Sequence, residues 1–316
     1  TIFAVVNKTG TNTASSYRTL LTTDNHILTS EAANNEDGSV APDNDPDANE
    51  WGGYYSPPTK THGANETIGS SYRLLSHVVR EDGSGAYDSD ESYTDGGNEQ
   101  SFTEGAFSSG LENVVGAGRG FNQNHPGNIA ELIHFGVDLN ETRRILVENY
   151  LSAKYGLSLD TGGGATDVYA GDLGPDGSQG GGDDYDRGVF GVGRLSPSDL
   201  HDAAETGGLR FRTTSGLDND DFLMAGYQDP GNGINTSDGF PNGVNQRMSR
   251  VWFVSETDPG GDLSTNVTFD LSKAALNTLA GDPSGYVLLQ QSTPGNNSWN
   301  LLQDGADGVN GDQITF

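Results

Sequence analysis

Apolar residues in this chain come in short runs closed by turn formers, and that patterning limits the folds open to it. Thr1-Ile-Phe-Ala-Val-Val6 ends at Asn7-Lys-Thr-Gly10, and Tyr17-Arg-Thr-Leu-Leu21 ends before Asp24-Asn25. Tyr72-Arg-Leu-Leu-Ser-His-Val-Val79 ends at Glu81-Asp-Gly-Ser-Gly85 and returns through Ala86-Tyr87, which predicts a hairpin. No run approaches the ~20 apolar residues that cross a bilayer as a helix. With 32% hydrophobic residues and 46 Gly in 316, the chain reads as all-β, with room for two domains.

Residues 30 to 70 are nearly free of aliphatics, and they read as a long loop excursion whose bulky anchors are Trp51, Tyr54 and Tyr55. Val114-Val115 and Asn128-Ile-Ala-Glu-Leu-Ile-His-Phe135 supply further strands. The latter is mixed on both faces, so a central position is expected. Asn140 to Tyr155 predicts one amphipathic helix at the end of the first domain, capped by Asn140 and stopped by Gly156. Its Val147, Tyr150, Leu151 and Tyr155 share a face that would lie on a sheet.

Thr161 to Asp186 is rich in Gly and Asp, placing a boundary near residue 160 between a domain 1–160 and a domain 161–316. Beyond it, strands are expected at Val189–Val192, Leu209–Arg212, Phe222–Ala225, Arg250–Val254, Asn266–Phe269, Tyr286–Leu289 and Ile314–Phe316, with a short helix at Ser272–Ala280. Seven short strands at turn-rich spacing suggest a sandwich. The chain opens at Thr1 without Met or a signal peptide and closes on a strand-like segment. It therefore reads as a processed or partial chain whose end strands border unfilled sheet edges.

Acidic residues number 45 against 16 basic ones, a formal charge of -29. Such a surface does not neutralise phosphates, so nucleic acid is not an expected partner. Asp outnumbers Glu and Arg outnumbers Lys, which fits a saline habitat where salt screens self-repulsion. The rival reading makes these carboxylates calcium ligands, and both readings stand. The absence of Cys removes disulfides and thiol chemistry.

Gly127-Asn-Ile-Ala-Glu-Leu-Ile-His-Phe135, then Leu139-Asn-Glu-Thr-Arg-Arg144 and Val147-Glu-Asn-Tyr-Leu-Ser-Ala-Lys-Tyr-Gly156, resembles the closing strand and helix of laminin-G-like (concanavalin A-like) domains of large secreted bacterial surface proteins. Val189-Phe-Gly-Val-Gly-Arg194, Asp221-Phe-Leu-Met-Ala-Gly226 and Arg250-Val-Trp-Phe-Val254 are similar to a β-rich domain that follows such lectin-like domains. The resemblance implies a jelly-roll (concanavalin A-like) sandwich followed by an immunoglobulin-like β-sandwich, with an extracellular or cell-surface location.

Five acidic clusters are suited to calcium, Asp304/Asp307/Asn310/Asp312 above all, then Asp43/Asp45/Asp47/Glu50, Asp88/Asp90/Glu91, Asp176 with Asp183/Asp184/Asp186, and Asp218/Asp220/Asp221, since alternating Asp and Gly let oxygens converge in a tight loop. None matches a complete EF-hand loop. Trp51, Tyr54, Tyr55 and His62 offer aromatic and polar groups for a sugar face, or else pin the excursion to its own sheet. Trp252 reads as core, while Trp299, after Asn-Asn-Ser, reads as lying in an exposed turn. The six His show no zinc spacing, and Glu131 stands alone in its strand, without the carboxylate pair of a glycan hydrolase.

The reading is a non-enzymatic extracellular structural or adhesive module of a surface fibre or filament. It would assemble through edge-strand contacts with copies of itself or adjoining domains of the same polypeptide. A calcium-assisted carbohydrate-binding module is the alternative, with glycans as partners, and a glycan hydrolase is third.

Overall fold

A computed structural model describes residues 1–9, 18–22, 26–31, 50–55, 60–67, 70–81, 87–102, 114–116, 125, 127–159, 167–173, 185–228, 231–258, 260–261, 263–276, 282–291 and 298–316. The chain divides into two units. One is Thr1–Leu139 with Leu157–Thr166, and the other is Asn140–Gly156 with Asp167–Phe316. Among the described residues both are built from antiparallel sheets with one α-helix, so the chain is all-β in class.

In the first unit the strands are β1 (Ile2–Lys8), β2 (Arg18–Thr22), β3 (His26–Glu31), β4 (Glu50–Tyr55), β5 (Lys60–Thr67), β6 (Arg73–Glu81), β7 (Tyr87–Thr94), β8 (Gly97–Phe102), β9 (Val114–Val115) and β10 (Gly127–His134). They form sheet I, in the order β10-β1-β6-β7-β8, and sheet II, in the order β5-β4-β3-β2-β9. Ile2, Ala4 and Val6 alternate with Phe3 and Val5, and all five are buried, so β1 is covered on both faces. That is what an apolar run with no polar alternation requires of a strand.

Three expectations change here. The excursion over residues 30 to 70 contains β4 and β5, whose Gly52-Gly53 and polar residues hide a ladder held by backbone pairing. β10 stands at the rim of the described sheet I, because β1 fills the position beside it. The first strand is no open edge either, since β1 pairs with both β10 and β6.

The second unit holds α1 (Glu141–Tyr155), β11 (Arg187–Ser196), β12 (Asp199–His201), β13 (Ala203–Thr206), β14 (Leu209–Ser215), β15 (Asp221–Tyr227), β16 (Ile234–Asn235), β17 (Arg247–Met248), β18 (Trp252–Thr257), β19 (Ser264–Asp270), β20 (Val287–Gln290), β21 (Asn300–Asp304), β22 (Gly308–Asn310) and β23 (Gln313–Thr315). Sheet III runs β12-β11-β15-β18 and sheet IV runs β13-β14-β19-β23-β22, with β16-β17 and β20-β21 as separate ribbons. β23 lies between β19 and β22, so the last strand is also internal to its sheet.

Sheet III is the middle layer. Val189, Phe222 and Met224 pack with Ile145, Leu146 and Ala153 of α1 on one side. Phe190, Val192, Leu223 and Ala225 pack with Leu209 and Phe211 of sheet IV on the other. The helix expected to close the first domain is therefore part of the second unit, because sheet III carries a second apolar face that it covers. Its ends are as the sequence indicates: Asn140 accepts from the Arg143 N–H, and Gly156 is left-handed at φ 61. Its inward face is built on Ile145, Leu146 and Ala153 with Tyr150 packed beside them, and Leu151 is fully buried as expected, while Val147 and Tyr155 are only partly buried. Of the expected helix at Ser272–Ala280, the described part is a short 3-10 turn, Leu271–Ala274, ended by Ala275 in the left-handed region, while 277–280 lie outside the described residues.

Close approach of α1 depends on Gly191. A Cβ there would lie 2.7 Å from the Leu223 carbonyl oxygen and 3.1 Å from Leu146 Cδ2. Gly191→Ala is expected to destabilise the second unit by about 1–3 kcal/mol through overpacking, read as a lowered urea midpoint.

Candidate functional site

Of the aromatic set, Trp51, Tyr54 and Tyr55 stand on β4 and His62 on β5. The ladder places Gly53 opposite His62, Tyr54 opposite Thr61 and Trp51 opposite Ala64. All four thus belong to one antiparallel pair of strands and not to a loop. Asp43, Asp45 and Asp47 lie outside the described residues.

Asp304 ends β21, Asp307 precedes β22, Asn310 ends β22, and Asp312 follows it in the two-residue turn to β23. Gly311 takes φ 58 in that turn, which explains the Gly without a metal. The Asp307 N–H donates to Thr315 O, and the Leu271 N–H donates to Asp312 O. Among the described residues no three His, Cys, Asp or Glu side chains converge on one point, so Asp304, Asp307 and Asp312 are not brought together.

The most fully built polar constellation lies where the sequence showed none. Trp299 is only 9% exposed, against the expected exposed turn. Its Nε1 donates to Asp238 Oδ2 at 2.9 Å, and Arg247 Nε donates to the same oxygen at 2.8 Å. Asn235 Nδ2 donates to Asp238 Oδ1 at 2.9 Å, and the Arg247 guanidinium stacks over the Trp299 ring at 4.5 Å. Arg247 Nη1 also reaches the carbonyls of Met248 and Ser249. Burial alone would raise the Asp238 carboxyl, but the bonds from Arg247 and Trp299 outweigh it and hold the carboxyl below its usual range. The hint in the sequence is a scarce Arg in a stretch poor in aliphatics, where no core explains it. Chemically this is a clasp: every polar group has a partner, and it fixes the turn-rich segment between β16 and β17 to the strand start at β21.

Other charged residues do similar work. Arg144, 1% exposed, pairs along α1 with Glu141 and Glu148. Arg250 donates to the Gly207 carbonyl and to Asn232, and lies over Tyr227 at 4.6 Å. An open groove on sheet IV is lined by Glu205, Arg210, Asp270 and Lys273. Arg210 pairs with Glu205 there, and Asp270 caps the turn at Ser272, so each carboxylate already has a structural partner.

Comparison of the chain with family models, with curated proteins and with solved structures finds no match.

Asp238→Asn is expected to lower stability by about 1–3 kcal/mol, because Arg247 and Trp299 keep a weaker acceptor, with Trp299 fluorescence shifting in the folded state. A second expectation concerns pH. Burial and the nearby Arg143 lower the pKa of His201 below 6.5, with Asp202 opposing. The unfolded chain then binds more protons at this site, so stability is lost as pH falls below 6.5. His201→Gln should show a shallower loss than the parent chain over that range in thermal melts.

Proposed function

We propose that this chain is a non-enzymatic structural or adhesive module of an extracellular or cell-surface protein, assembled through strand edges. The first unit would be a laminin-G-like jelly-roll sandwich and the second an immunoglobulin-like one. Five-stranded antiparallel sheets in both units and the doubly covered β1 support that reading.

The observation that carries the proposal is the rim of sheet III. β18 pairs with β15 in unbroken register from Tyr227↔Trp252 to Phe222↔Thr257. Among the described residues its other edge has no ladder partner. The strand contains no Pro, Lys or bulge, the usual devices that keep edges apart. Val254 is 48% exposed on it, and Glu256 is its one charge. A regular, unbulged edge of this kind, apolar over Trp252–Val254, accepts another strand by backbone pairing. The ribbon of β20 and β21 adds Leu302, 58% exposed.

Self-pairing of a chain with charge -29 needs screening, so association should rise with salt. Sedimentation of the full chain is expected to show reversible oligomers that grow with salt and weaken in Val254→Lys. A monomer at every salt concentration, unchanged by the substitution, would refute assembly through this edge.

The alternative, a calcium-assisted carbohydrate-binding module, is favoured by the gathering of Trp51, Tyr54, Tyr55 and His62 on β4 and β5. Calcium would bind Asp43, Asp45 and Asp47, which lie outside the described residues. Glycan arrays with and without calcium separate the two readings.

A further inference from the structure

We infer that Asn242 is a site of spontaneous covalent modification, losing its side-chain amide to the backbone nitrogen of Gly243. This goes beyond the assembly reading and does not depend on it. Asn-Gly pairs are reactive because Gly has no side chain to hinder its own nitrogen. In the step, the Gly243 nitrogen gives its proton to solvent and attacks Cγ of Asn242. An N–Cγ bond forms, the Cγ–Nδ2 bond breaks, and the side-chain nitrogen leaves as ammonia. Water then opens the resulting succinimide ring at either carbonyl, giving aspartate or isoaspartate. Nothing is oxidised or reduced, and water is the only co-reactant.

The sequence holds three such pairs, at Asn232, Asn242 and Asn310, and the fold treats them differently. At the first, the nucleophile is occupied: the Gly233 N–H donates to Ala274 O at 3.1 Å, and Asn232 Oδ1 accepts from Arg250 at 3.3 Å. At the third, Asn310 is held in the β22–β23 ladder opposite Gln313. The middle pair sits in an exposed turn closed by the Val244 N–H on Pro241 O at 3.1 Å, a bond that leaves the Gly243 N–H unused. Among the described residues no partner is found for the Gly243 N–H or for the Asn242 side chain. All three glycines take positive φ with open space around them, so the distinction rests on the bonded and ladder-held partners.

The surrounding clasp limits how far the change reaches. Arg247 and Asp238 tie the two ends of this segment together, so an added carboxylate or a lengthened backbone at residue 242 is confined to the turn. The modification therefore adds one negative charge without unfolding the unit.

The test is to age the full chain in mildly alkaline buffer, map peptides by mass spectrometry with isotopically labelled water, and age a urea-unfolded sample beside it. Breaking the hydrogen bond on the Gly233 nitrogen before ring closure slows the reaction by about tenfold, so Asn242 should convert about tenfold faster than Asn232 in the folded chain, and faster than Asn310, whose backbone is held in its ladder. The three should converge when unfolded. Asn242→Gln should abolish the conversion at residue 242 with an unchanged melting temperature. Equal rates at all three sites in the folded chain, or an intact Asn242 while another converts, would overturn the inference.

Discussion

Sheet III must be covered on both faces, and much of the second unit is built around that requirement. Val189, Phe222 and Met224 face α1 while Phe190, Val192, Leu223 and Ala225 face sheet IV. Burial of this kind contributes on the order of 25 cal/mol for each Å² of apolar surface removed from water, and it is the main favourable term open to a chain so poor in apolar residues. The helix cannot be detached from this arrangement, since its Ile145, Leu146 and Ala153 have no comparable partner elsewhere in the second unit's described cores. Asn149 strengthens the junction by accepting from the N–H groups of Val168 and Tyr169, and the Tyr169 hydroxyl donates to Tyr185 O.

Polar side chains complete what burial begins. Few aliphatics are available between β15 and β19, and the chain there is held by Arg247 on Asp238 and by Arg250 on Gly207 and Tyr227. Arg250 joins segments distant in sequence through several donors at once, and Arg247 bonds nearby groups while stacking over Trp299, tasks suited to a planar fork. In a molecule of charge -29, Arg144, Arg247 and Arg250 serve as internal fasteners.

The same physics separates the elements legible in the sequence from those that were hidden. Strands with continuous apolar runs, such as β1, β11 and β15, were legible because burial on both faces leaves no polar alternation. The helix was legible from Asn140 and Gly156, whose roles are local. Its place in the chain's organisation was not, because covering sheet III is a long-range event. β4 and β5 were missed because their ladder is written in backbone pairing across Gly and polar residues, without a period-two apolar signal. The clasp of Asp238, Arg247 and Trp299 was missed because its members lie up to sixty-one positions apart.

Covering both faces of a sheet still leaves its rim, and among the described residues β18, whose first half is apolar, has no ladder partner on its outer edge. Whether that rim is paired when copies meet is therefore decisive. The measurement is hydrogen exchange at Trp252–Thr257, made in high salt over a range of protein concentrations. Alternate amides of β18 are expected to gain protection as concentration rises, while those of β15 stay protected throughout. Exchange in β18 that is independent of concentration would contradict assembly through this strand.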